Sequence, residues 1–79
     1  MARYYFDTHD GDHLVTDDEG QELDGLGSVK REALAALPEM ARDVVPDDGD
    51  QRTMVVSVRD EAGRVVLKAT LGLLVETNP

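Results

Sequence analysis

Alternation dominates both ends of the chain, and a helical period fills its middle. Residues 3–8, Arg3-Tyr4-Tyr5-Phe6-Asp7-Thr8, place Tyr4 and Phe6 on one side of an extended backbone and Arg3, Tyr5 and Asp7 on the other. His13–Asp17 repeats the alternation more briefly, with Leu14 and Thr16 on one face and Val15 on the other. Residues 52–59 set Met54, Val56 and Val58 against Thr53, Ser57 and Arg59. Residues 64–76 set Val65, Leu67, Ala69, Leu71, Leu73 and Val75 against Val66, Lys68, Thr70, Gly72, Leu74 and Glu76. The expected strands are therefore about 3–8, 13–17, 52–59 and 64–76. Asp10-Gly11 and Asp60-Glu61-Ala62-Gly63 supply the turns of two hairpins. Asp17-Asp18-Glu19-Gly20 supplies a further turn, with Gly20 available for positive φ.

Between the hairpins, apolar residues fall at 26, 29, 33, 36, 37, 40 and 44. That spacing predicts a helix over about 25–45 with one buried face. Asp24 and Ser28 are both candidate N-caps. Pro38 removes the bond from its own nitrogen to the Leu34 carbonyl. On the helical wheel it lies opposite the apolar stripe, so the expectation is a bent helix that continues past it. Pro46 then ends it, and Pro46–Asp50 forms an acidic loop. The order ββαββ predicts an α+β fold: a four-stranded, mainly antiparallel sheet with one kinked amphipathic helix on one face. The other sheet face is expected to carry Tyr5, Val15, Val55, Val66 and Leu74. That is enough apolar surface to suggest a partner, a second copy included.

Length adds that one domain, residues 1–79, is expected, burying roughly 60% of its unfolded surface. Eight Lys and Arg against 17 Asp and Glu give a net charge of −9, which repels nucleic-acid phosphates and anionic lipid. Direct nucleic-acid or membrane binding is not expected; a basic protein partner is compatible. There is no cysteine, so thiolate catalysis and Cys-type zinc sites are excluded. The start, Met1-Ala2-Arg3-Tyr4-Tyr5-Phe6-Asp7, lacks a signal-peptide core, and no apolar run is long enough to span a bilayer. The expectation is a cytoplasmic protein.

Three stretches hold residue types able to do chemistry. Asp7–His13 gathers carboxylates and imidazoles, and His9, Asp10, Asp12 and His13 are candidate ligands for a divalent metal or a metal-dependent enzyme. The spacing matches neither an EF-hand loop nor H-E-x-x-H, and the same residues serve ordinary turn chemistry. Asp17, Asp18, Glu19 and Glu22, and separately Asp47, Asp48 and Asp50, form acidic clusters. On exposed loops these read as solvated charge rather than paired acid–base groups. Gly25-Leu26-Gly27-Ser28 precedes the helix but matches no phosphate-binding pattern, and Glu22 and Asp24 oppose an anion there. No catalytic residue and no cofactor are expected.

Arg3–Gly11 (RYYFDTHDG), Asp17–Leu26 (DDEGQELDGL) and Val56–Leu71 (VSVRDEAGRVVLKATL) together resemble a family of short alphaproteobacterial, rhizobial-type proteins described as a domain of unknown function. The resemblance spans nearly the whole chain and departs around Gly25, Gly27 and Pro38. It implies a compact cytoplasmic domain and assigns no site. The first half is also similar to the small N-terminal domain of HicB-like antitoxins, without their Pro-Asp-Leu turn before the helix. Three functions follow as expectations: a small non-catalytic interaction or regulatory module that forms a homodimer; an antitoxin-like acidic partner of a basic toxin or RNA-binding protein; and a metal site at the His9–His13 turn.

Overall fold

A computed structural model describes residues 1–11, 13–42, 51–76 and 78. Two hairpins meet side by side, and one helix lies across them. The first strand, β1 (Ala2–Asp10), turns through Gly11 into β2 (His13–Val15), and β3 (Gln21–Leu23) follows. The helix α1 runs Leu26–Arg42, and β4 (Gln51–Arg59) and β5 (Val65–Leu74) complete the chain. Among the described residues the sheet has five strands in the order β2-β1-β4-β5, with β3 also pairing β1. All pairings are antiparallel.

The four expected strands are present, and β3 adds a short fifth. Gln21-Glu22-Leu23 is too short and too polar to show a period. It becomes a strand because β1 offers a free edge, pairing Ala2 with Leu23, Arg3 with Glu22 and Tyr4 with Gln21. β3 and β2 follow one another along the edge of β1 away from β4, at its two ends.

The alternation of β4 sends Met54, Val56 and Val58 into full burial, where they meet Val29, Ala33 and Leu37 of α1. These six residues are the core, and Tyr4, Phe6, Leu67, Ala69 and Leu71 pack around it. Burying apolar area against the sheet, at about 25 cal/mol per Å², is what holds a helix this short. The buried helix positions are one turn apart, so a single stripe faces the sheet. Leu26, expected in that stripe, is 55% exposed, and the stripe begins at Val29. Val44 lies outside the described residues. The helix continues through the exposed Pro38 to Arg42, as its position opposite the stripe predicts.

Neither candidate residue is the N-cap. The Gly25 carbonyl accepts the first helical bond, from the Val29 amide at 3.1 Å, which puts Gly25 at that position. Its φ of 149° is open to glycine and strained for other residues. Asp24, one residue earlier, instead accepts the Ser28 hydroxyl.

Candidate functional site

The face of the sheet away from α1 holds the densest set of interacting charges, at its β1–β4 junction. Tyr5 stands opposite Arg59, and Asp7 opposite Ser57. Facing residues of an antiparallel pair project to the same side, and diagonal neighbours remain in reach of long side chains. Arg59 uses both relationships. Its guanidinium carbon sits 5.0 Å from the Tyr5 ring centroid. Its Nε donates to Asp7 Oδ2 at 2.6 Å and its Nη2 to Asp7 Oδ1 at 3.1 Å. This is the two-pronged geometry that a guanidinium makes with a carboxylate.

The turn after β2 closes over this pair. Asp17 accepts the Phe6 amide on Oδ2 at 3.0 Å and the Glu19 and Gly20 amides on Oδ1, both at 3.1 Å. Its own amide donates to Asp7 Oδ1 at 3.0 Å, and its carbonyl accepts Arg59 Nη2 at 2.9 Å. Asp17 thus bridges the stretch of β1 that lies between the β2 and β3 pairings. Gly20, at φ 74°, lies against Arg3 and Tyr5, where a Cβ would come within 2.8 Å of Arg3 Cγ and 2.9 Å of the Tyr5 ring. Arg3 Nη1 donates to the Glu19 carbonyl at 2.7 Å, and Arg3 Nη2 lies 3.6 Å from Glu22 Oε1.

Electrostatics follow this geometry. The hydrogen bond from Arg59 holds the Asp7 carboxyl below the ordinary aspartate range, against the opposing effect of burial. Burial pushes Asp17 upward, but the amides of Phe6, Gly20 and Glu19 outweigh it and leave Asp17 lowered. Asp7 in turn raises Arg59. All three groups are thus held in their charged forms. The cluster ties β1, β4 and the 17–20 turn together.

The candidate metal ligands are distributed differently. His9 faces Leu14 across the first hairpin, and Asp10 faces His13. Adjacent residues of a strand point to opposite faces, so the two imidazoles project to opposite sides of the sheet. Asp10 lies with Arg52, Oδ1 to Nη1 at 3.2 Å. Asp12 lies outside the described residues, as do Asp47, Asp48 and Asp50. Among the described residues no three His, Asp or Glu side chains gather in a metal-binding arrangement.

The apolar part of this face is smaller than the alternation suggests. Tyr5 lies under Arg59 and the 17–20 turn. Val15 faces Thr8, which in turn faces the buried Val56, so Val15 belongs to the helix side although it is 56% exposed. Val66 is the extra residue of an irregularity opposite Val58 and Arg59 and packs against the core. Val55 and Leu74 remain as expected, joined by Leu14 beside His9 and by Val65 opposite Arg59. The roles of Asp7, Asp17 and Arg59 were not legible in the sequence. Only the alternation that puts Tyr5, Asp7 and Arg59 on non-core faces hinted at them.

Among the described residues no helix is long and apolar enough to cross a membrane. No curated protein and no solved structure matches the chain. One family model does, over residues 3–72, from the second residue of β1 to within two residues of the end of β5. The chain therefore belongs to the family described as Domain of unknown function (DUF6894).

Proposed function

We propose that the chain is a small non-catalytic interaction module that works by self-association through its sheet. The observation that carries this reading is the position of β5. It is ten residues long, rich in Val and Leu, and sits at the end of the strand order, with β4 its one partner among the described residues. Such a strand presents a row of backbone donors and acceptors to whatever approaches. The opposite edge of the sheet is divided between β2 and β3, three residues each, which is the short form that resists pairing. Val65 and Leu74, at the two ends of β5, are 58% and 60% exposed. Sedimentation equilibrium over a wide concentration range tests the reading. A reversible monomer–dimer curve supports it, and a single monomeric mass at every concentration removes it.

A second reading is favoured by the net charge of −9. It makes the chain an acidic partner of a basic toxin or RNA-binding protein. Capture from the native cell supports this reading if it recovers a basic partner that is released by salt.

A further inference from the structure

Resting on self-association as read above, we infer that the partner is a second copy of this chain, joined β5 to β5 in antiparallel register centred on Gly72. Antiparallel pairing about a twofold makes the same edge both donor and acceptor, and it fuses the two sheets into one. Which residues then face one another is decided by charge and by regularity.

The edge carries little charge. Between residues 65 and 75 the one charged residue is Lys68, and Glu76 follows two residues after the end of β5. Both are exposed. Among the described residues neither forms an ion pair within its own chain. Arg64, the neighbouring cation, is already held by Asp60, Nη2 to Oδ2 at 3.2 Å. No Asp or Glu lies within β5 itself.

With Gly72 facing Gly72 of the second copy, Lys68 faces its Glu76, Thr70 faces its Leu74, and Leu71 faces its Leu73. Each pair occurs twice. Opposite charges and apolar side chains then meet their like-faced complements. The register centred on Thr70 is worse on both counts. It sets Lys68 against glycine, and Glu76 against an Arg64 that Asp60 already holds. It also draws the irregular backbone at Val66 into the pairing, where a bulge twists a strand out of line. The Gly72 register uses the regular part of β5 and extends it to Glu76.

The chain has no cysteine, so a single introduced thiol reads the register directly. Facing residues of an antiparallel pair have Cα atoms about 4.5–5.5 Å apart, within disulfide reach. Residues offset by four positions are roughly 14 Å apart and are not. Under mild oxidation Gly72→Cys should form a covalent dimer at concentrations where Thr70→Cys does not. Lys68→Glu and Glu76→Lys should each weaken the dimer several-fold, and the double reversal should restore it. A dimer that crosslinks through Thr70→Cys, or ignores both charge reversals, overturns this register while self-association stands. A chain that stays monomeric in sedimentation overturns both.

Discussion

Arg59 reaches diagonally across the β1–β4 pairing to Asp7, 52 residues away in the chain, and closes two hydrogen bonds of 2.6 and 3.1 Å. The Asp7 side chain is only 16% exposed, and Asp17 adds an amide to the same carboxylate. Asp7→Asn keeps the shape and removes the charge. Allowing for partial solvent screening, it should cost about 1–2 kcal/mol. Urea denaturation at pH 7 would measure this as a lower midpoint with an unchanged slope. An unshifted midpoint would show that the pair contributes nothing net.

Acid should unfold the protein through the same cluster. Asp7 and Asp17 are both lowered from 3.8 in the folded chain. Their unfolded values are higher, so on acidification the unfolded state takes up protons first. The stability they confer is complete well above 3.8 and is lost as pH falls through the lower folded values. The urea midpoint should be flat near neutrality and fall below about pH 5. Asp17→Asn should lower the midpoint at pH 7 and make the acid dependence shallower. A variant as steep as the parent would assign the acid sensitivity elsewhere.

Gly20 and Gly63 separate backbone strain from crowding. Both have positive φ, 74° and 84°. A Cβ on Gly63 meets nothing within 4 Å, whereas one on Gly20 strikes Arg3 and Tyr5. Gly63→Ala should therefore cost about 1 kcal/mol, the left-handed backbone penalty alone. Gly20→Ala should cost about 2–4 kcal/mol, because overpacking is added to it. Thermal melts of the two variants in parallel give the comparison, and equal losses would refute the close packing of the 17–20 turn.

On the helix, burial and not hydrophobicity should decide the cost of truncation. Leu37 is 4% exposed and Leu34 is 52% exposed. Leu37→Ala should lose about 2–4 kcal/mol and Leu34→Ala within about 0.5 kcal/mol. Pro38→Ala restores an amide able to bond the Leu34 carbonyl without disturbing the stripe. It should raise stability by about 1–3 kcal/mol. Denaturant titration of the three variants suffices, and a destabilised Pro38→Ala would mean that the proline is needed for the helix to fit the sheet.

What was legible in the sequence follows a physical rule. Residues whose environment is set by their own strand or helix were readable: Met54, Val56 and Val58 from alternation, Val29, Ala33 and Leu37 from the helical period. Pro38 was readable for the same reason, since its angular position alone says whether its missing bond meets water. β3 was not, because three residues carry no period and its existence depends on the free edge of β1. Val15 was misplaced because a strand's alternation tells which residues share a face but not which face is covered; the register opposite Thr8 decides that. Asp17 looked like one solvated acid among several. Its role depends on the amide of Phe6, whose unpaired edge appears only once β2 and β3 have left a gap beside it, and on the carboxylate of Asp7.

The strand order has a kinetic consequence. β1 with β2 and β3, and β4 with β5, are each closed by contacts near in sequence and can form as separate units. Joining β1 to β4 is the step that must enclose the chain between them, with α1, and it closes the longest loop of the sheet. The barrier should therefore lie at that junction. Val58→Ala, which removes a buried contact facing Phe6, should slow folding. The Asp7–Arg59 clamp needs strands already in register, so Asp7→Asn should mainly speed unfolding. The polar face of this sheet would then act as a latch on the native state, setting how long it stays closed and not how fast it forms.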